Sequence, residues 1–388
     1  MTSIATLDLT VKNYKCFGAE GAGFEVVKPV NIIIGRNNSG KSALLDLIQY
    51  ACEPGGIPET HYHAGSKSQI TFVSRLTEQD LKGIFRENTS GGDLPDNHWQ
   101  IGRQLIDAEM IVEIQENNAF TYLECKPSLN DLIGKRVINF ENAMASTAKL
   151  PFRGRQFRRL SAERNIIPEE ANSTLEISQN GNGFTNALAQ IITRSYHPSS
   201  LVEDRVLQHL NDIFKPDATF LSIRAQQHSD SKWEIFLDEK GQGPVALTHS
   251  GSGIKTVLLT IAYFVIIPYI AKAQSLNQFV FAFEELENNV HPALQRRLMN
   301  WVAEIANKND CPVFLTTHSS AVIDLRMLKS CTSFGVAEKL VPVGSRPMCT
   351  VEVSWTTWIL GQVIYCNRTG SSGLKVHLIG CISIGGSS

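Results

Sequence analysis

The chain has almost no net charge. Its 388 residues carry 36 lysines and arginines against 38 aspartates and glutamates, a formal charge of −2. That excludes a global attraction to nucleic acid or anionic lipid, so any nucleic-acid surface has to be a local patch. Zinc-type spacing is also lacking, because none of the eight cysteines forms a C-x-x-C pair. Cys16, Cys52, Cys125 and Cys311 are scattered as in a cytosolic protein with reduced thiols. Cys331, Cys349, Cys366 and Cys381 crowd towards the end. His61 and His63 have no carboxylate or third ligand at helical spacing and read as a solvated loop. No signal peptide is expected, since Met1 is followed by polar residues and the alternating "ATLDLTVKNY". One stretch, Ile254 to Ala273, has the length of a membrane span. It holds Lys255 and Pro268 and has no second span beside it, so it reads as a buried helix of an α/β core. There is no internal repeat and no low-complexity tract. The 43% apolar content is enough for a sizeable core, and the length suits one large domain or two ordinary ones.

The patterning gives a coarse element order. Residues 5–12 and 24–34 read as strands, and "SALLDLIQYAC" as a helix ended by "EPGGIPE". Residues 68–74 and 107–124 alternate as strands, with "ENN" as a hairpin turn. From about 128 to 215 the signals are mostly helical, interrupted by a polar loop, and read as an insertion. Strands resume at "TFLSIRAQ" and "KWEIFLDE". A helix (254–272), the strand "QFVFAF", a helix (293–307) and the strand "PVFLTT" follow. Starting from "KWEIFLDE", that final β-α-β-α-β run predicts a parallel sheet.

Four stretches carry chemistry. "GRNNSGKS", Gly35 to Ser42, matches G-x-x-x-x-G-K-[ST] between a strand and a helix. Gly35 and Gly40 let the backbone wrap a phosphate, with Asn37, Asn38 and Ser39 completing the cradle and the helix N-terminus adding its positive end. Lys41 reaches the β- and γ-phosphates of a nucleotide, and Ser42 can hold Mg²⁺. In "FVFAFEELENNVHP" an apolar strand ends in Glu284 and Glu285. Such acids lie at the carboxyl edge of a parallel sheet, where Glu284 serves the metal and its water shell and Glu285 the attacking water. "PVFLTTHSS" places His318 at the end of the next strand, able to donate to a γ-phosphate oxygen. In "LTHSGSGIKTVLL", Ser250, Gly251, Ser252 and Gly253 open the long apolar helix and make a second anion site. A nucleotide could then join two protomers, one giving the phosphate loop and the other this turn.

This order of motifs resembles the ATP-binding cassette (ABC) ATPases. Within them, "FEELENNVHP" and "LSAERNIIPE" are similar to stretches of the OLD family, relatives of the RecF and SMC-type DNA-repair ATPases. The resemblance covers about residues 5 to 325. It implies an α/β fold, an ABC-type P-loop ATPase with a mixed sheet, an N-terminal antiparallel β part and a helical insertion. It implies ATP and Mg²⁺ as ligands, Glu285 as general base and His318 as switch histidine. It also implies that Ser250–Gly253 contact the γ-phosphate in trans across a homodimer, and that the protein acts on DNA in defence or repair. Two departures stand out: Glu284 occupies the usual Asp position, and the turn reads S-G-S-G rather than L-S-G-G-Q. Glu163 and Arg164 lie near where a glutamine loop is expected, or form an ion pair with each other. "RGRQFRR", Arg153 to Arg159, is the sharpest basic cluster, either a DNA-backbone contact or a solvated strand face. A transporter nucleotide-binding subunit is disfavoured by the turn and by the inserts between residues 55 and 245. A sensor or clamp that recruits a separate effector is the other alternative.

OLD-type proteins continue into a metal-dependent TOPRIM nuclease domain. After Asp324 this chain holds only two acids, Glu338 and Glu352, so nuclease activity is not expected. Residues 326–388 read as an atypical tail. A displaced reading frame beginning near Leu325 is able to spell a segment ending V-E-G-P-S-D-R, which resembles the opening of that nuclease domain. The tail is therefore expected to be a frameshifted or disordered remnant, with a genuine small module containing strands such as "TVEVSW" as the other reading.

Overall fold

The computed structural model describes residues 5–35, 37–117 and 119–318, and the backbone of two further strands at 362–368 and 374–379. The chain begins with β1 (Ala5–Lys12), β2 (Ala22–Val27), β3 (Val30–Gly35), α1 (Lys41–Cys52) and β4 (Gln69–Arg75). Next come α2 (Glu78–Ile84), α3 (His98–Gly102), β5 (Glu109–Ile114), β6 (Phe120–Lys126), α4 (Leu129–Ile133) and α5 (Ile138–Ser146). A middle section holds β7 (Gln156–Leu160), β8 (Glu169–Glu170), α6 (Phe184–Thr193), α7 (Leu207–Phe214), β9 (Phe220–Gln227), β10 (Lys232–Glu239) and β11 (Gly243–Ala246). Then follow α8 (Ser252–Ile270), β12 (Phe279–Glu284), α9 (Pro292–Asn309), β13 (Val313–Thr317), β14 (Gln362–Arg368) and β15 (Leu374–Ile379).

The core sheet has the order β15-β14-β3-β13-β12-β7. All of its pairings are parallel except β14 with β15. Both faces are covered, which explains the unbroken apolar run "FVFAF". Phe279, Phe281 and Phe283 point to one side and pack with α8 and α9. Phe264 of α8 lies 4.6 Å, ring to ring, from Phe281. Val280, Ala282, Ile33 and Phe314 point to the other side, against α1 and the N-terminal antiparallel sheet β2-β1-β4-β5-β6. A separate antiparallel sheet joins β8, β9, β10 and β11. Glu169 of β8 accepts from the backbone of Gly183 and Asn186, so its carboxylate seats the N-terminus of α6.

The expected fold class is the one observed: α/β, with a mixed sheet and an N-terminal antiparallel β part. The span-length helix α8 is buried from Thr256 to Ile267 inside the core. Three expectations need correction. The strand expected over 24–34 is two strands, parted at Lys28 and Pro29, where the Asn31 side chain bonds the Lys28 N–H and C=O at 3.0 and 2.7 Å. The 128–215 section is not a wholly separate insertion, because β7 within it pairs with β12 in the core sheet. Its five residues include two arginines, too short and too polar for the periodic signal of a buried strand. Finally, β10 does not belong to the parallel run; it lies in the second antiparallel sheet. Residues 319–361, 369–373 and 380–388 lie outside the described residues, among them "TVEVSW". Of the two described strands of the tail, β14 pairs with β3 and β15 pairs with β14.

Candidate functional site

Parallel strands that end together leave a crevice beyond their carboxyl ends. Here β3, β13 and β12 end at Gly35, Thr317 and Glu284. A cleft of about 710 Å³ opens at these ends, lined by Asn37 to Ala43, Glu163, Glu284, Glu285, Asn288, Thr316 and His318, with Lys15 and Cys16 at its rim.

The loop from β3 to α1 turns through left-handed residues. Asn38 has φ +59° and Gly40 φ +92°. At Gly40 only glycine fits, because a Cβ there would lie 2.7 Å from both Cys16 Sγ and Phe17 Cζ. The first turn of α1 carries no acid, which keeps the field at its N-terminus positive. The Ser39 hydroxyl is buried without a partner among the described residues, and the Ser42 side chain is exposed in the cleft. Lys41 is 7% exposed and donates to the Gly35 carbonyl at 3.0 Å. Its Nζ also lies 3.1 Å from His318 Nδ1.

His318 links the loop to the acids. Its Nδ1 lies 3.1 Å from the Gly35 carbonyl, and its Nε2 bonds the Glu285 carboxylate. Glu285 sits just past the end of β12 with φ +50°, and its N–H donates to the Thr316 carbonyl at 2.9 Å. Asn288 donates to its other carboxylate oxygen at 2.6 Å. Glu284 is paired with Arg159 of β7, which also donates to Asp46 of α1 at 2.8 Å. Tyr14 and Lys15 bond the second oxygen of Asp46. Burial, then the nearby Asp46 charge, pushes the Tyr14 hydroxyl far above its ordinary value, so it stays a donor.

The structure thus gathers Gly35, Asn37, Asn38, Ser39, Gly40, Lys41, Ser42, Glu284, Glu285 and His318 around one cleft. It does not bring Ser250, Gly251, Ser252 and Gly253 there. That turn faces elsewhere, with Ser250 donating to the Ala246 carbonyl at 3.1 Å and Ser252 to the Asn289 carbonyl at 3.3 Å. The basic cluster is partly internal: Arg159 serves Glu284 and Asp46, while Arg153 and Arg155 lie over the Phe120 and Phe152 rings. Glu163 and Arg164 form no ion pair with each other; Arg164 turns inward to backbone carbonyls. Sequence reading missed Arg159, Asp46 and Glu287. Glu287 accepts from the Thr317 hydroxyl and, at 3.2 Å, from the His318 N–H, so it fixes the end of β13. Its standing as the third glutamate of "EELE" was the available signal.

The family described as "AAA domain, putative AbiEii toxin, Type IV TA system" matches residues 30–324. An ATP/GTP phosphatase of Helicobacter pylori is 22% identical over 343 residues, covering 81% of this chain and 85% of that protein. Among solved structures, an Smc head bound to the C-winged helix domain of ScpA aligns with TM-score 0.45 and 13% identity over 96% of each chain. The SMC head domain from Thermotoga maritima aligns with TM-score 0.41 and 12% identity over 96% of this chain and 97% of that one.

Proposed function

The chain belongs to the AAA-domain family matched over residues 30–324, and from that premise we propose that it is an OLD-type ATPase that binds and hydrolyses Mg-ATP as a homodimer. Residues 1–325 form the ATPase domain in this reading. The observation that carries it is the meeting of Lys41, His318 and Glu285 over the phosphate loop, through the bonds Lys41–Gly35, Lys41–His318 and His318–Glu285. The relative's name, an ATP/GTP phosphatase, supports hydrolysis of a nucleoside triphosphate.

The residues suit the ligands. A left-handed cradle with a buried, unpartnered Ser39 hydroxyl and an acid-free helix start fits a polyphosphate. The Ser42 hydroxyl and the Glu284 carboxylate line the same cleft, an all-oxygen donor set suited to Mg²⁺. Bound there, Mg²⁺ would neutralise charge on the phosphates. Lys41 neutralises further phosphate charge. Glu285 orients the attacking water and takes its proton, as a carboxylate at hydrogen-bond reach does. His318 spans loop and base, so it can exchange its bond to Glu285 for one to a phosphate oxygen. Ser250–Gly253, turned away from the cleft of their own chain, complete the site of a second copy. DNA is the proposed effector, and a role in phage defence or DNA repair follows from the OLD resemblance.

The test is steady-state hydrolysis of Mg-ATP, with and without DNA. Glu285→Gln is expected to lower kcat by about 10²- to 10⁴-fold while keeping nucleotide affinity. Lys41→Ala is expected to weaken nucleotide binding by about tenfold or more. Equal turnover of wild type and Glu285→Gln would remove Glu285 from the mechanism.

A further inference from the structure

Glu285 holds an unusual backbone. Its φ of +50° is a left-handed conformation that an L residue adopts only at a cost. Past the end of β12 at Glu284, the Glu285 N–H still donates to the Thr316 carbonyl of β13 at 2.9 Å, and the Asn288 N–H donates to the Glu285 carbonyl at 3.0 Å. The carbonyls of Glu284 and Glu285 both accept, in addition, from one side chain. Arg164 donates from Nη1 to the Glu284 carbonyl at 2.7 Å and from Nη2 to the Glu285 carbonyl at 2.9 Å. Its Nη1 also donates to the Ser161 carbonyl at 2.8 Å. Its remaining bond runs from Nε to the Thr256 hydroxyl at 3.3 Å.

That last partner lies on α8, the helix opened by the Ser250–Gly253 turn. Thr256 stands one turn past Ser252 on the same rigid helix, and its own carbonyl is tied to Thr260. One planar guanidinium therefore spans the second turn of α8 and the backbone on both sides of the Glu284–Glu285 bond. Lysine could not do this, because it offers one point charge in place of a fixed fork. The charge is retained inside the protein although burial pulls its pKa down, helped by Glu287, Glu285 and Glu284 nearby.

We propose that Arg164 is a positioning residue that couples α8, and through it the Ser250–Gly253 turn, to the conformation of Glu285. The inference rests on the reading of Glu285 as general base. A shift of α8 on engaging a second copy's nucleotide would be passed through Thr256 and Arg164 to the backbone that aims the Glu285 carboxylate. Arg164 does not itself line the cleft, so its loss should leave nucleotide binding intact and alter turnover.

The experiment compares the full chain with Arg164→Lys, Thr256→Val, Glu285→Gln and the double variant Arg164→Lys/Glu285→Gln. Readouts are kcat and KM for Mg-ATP, affinity for a non-hydrolysable ATP analogue with Mg²⁺, and thermal melting. Arg164→Lys is expected to lower kcat about tenfold with analogue affinity unchanged, and Thr256→Val to lower it less. The double variant should turn over no more slowly than Glu285→Gln alone, since both act on one group. Losses that multiply in the double variant, or a fall in kcat that follows a fall in analogue affinity, would overturn the proposal. Thr256→Val nearly conserves volume and tests the link even if Arg164→Lys fails to fold; wild-type kcat in that variant overturns the coupling to α8. An inactive Glu285→Gln beside a fully active Arg164→Lys sinks this inference alone. A fully active Glu285→Gln sinks the general-base reading, and this one with it.

Discussion

Gly40 shows how much one residue decides. Its left-handed φ and the crowding by Cys16 and Phe17 leave no room for a side chain. Gly40→Ala is expected to cost about 2–4 kcal/mol, from backbone strain plus overpacking, and to abolish nucleotide binding. A thermal melt with and without Mg-ATP checks this: the variant should melt lower and gain nothing from nucleotide. The cysteines give a second handle. Burial pushes the thiols of Cys125 and Cys311 up to about 11 and about 12, and that of Cys52 further still. Cys16 instead lies at the rim of the cleft, only partly covered. Iodoacetamide at pH 8, read by peptide mass mapping, should label Cys16 ahead of Cys52, Cys125 and Cys311, because only thiolate reacts. Mg-ATP should slow the labelling of Cys16. At this scale the sequence was legible wherever a motif fixed neighbours by spacing, as in Gly35–Ser42. It was illegible where a partner came from far along the chain. Nothing in "RGRQFRR" says that Arg159 faces Glu284 and Asp46, because that pairing needs β7 beside β12.

Elements add a pH dependence that no single residue has alone. On α7, His209 meets Trp301 of α9, and the indole N–H donates to its Nδ1 at 3.2 Å. The imidazole must be neutral to accept that bond. Burial lowers its pKa below 6.5, opposed by Asp212 and aided by Arg205. The sign follows from linkage. Below pH 6.5 the unfolded chain binds a proton that the folded chain refuses, so His209 makes stability fall as pH drops through that value. His209→Gln should flatten this part of the curve of melting temperature against pH between 7 and 5. A curve identical to wild type would show that the α7–α9 contact does not titrate. The alternation on β12 was readable as a fully buried strand, since a run of "FVFAF" has no polar face to spare. The neighbouring strand β7 was not, because an edge strand in a parallel sheet needs only one apolar face.

For the molecule as a whole, the position of the Ser250–Gly253 turn matters most. It lies outside the cleft of its own chain, so a complete site in the proposed mechanism takes two copies. Such a site predicts complementation. Lys41→Ala inactivates one half-site, and Ser252→Arg the other. Each alone should lack ATPase activity, while an equimolar mixture should regain part of it, because mixed dimers hold one intact pair. A mixture that stays inactive would argue against a turn acting in trans. Glu285→Gln with Mg-ATP should also shift to dimer by size-exclusion chromatography with light scattering.

The sequence by itself determined the phosphate loop, the acid-bearing and histidine-bearing strands and their order, because each is a local pattern: glycine spacing, an apolar run, a polar stop. Those patterns also sufficed for the α/β class, since a strand buried on both faces needs helices or another sheet to cover it. Tertiary structure alone decided which carbonyls Arg164 grips, why Glu284 meets Arg159, and that β10 leaves the parallel sheet for an antiparallel one. The physical reason is range. Helix caps, turns and periodicity act over a few residues, whereas a charge pair separated by 125 positions forms only after two strands have chosen each other as neighbours.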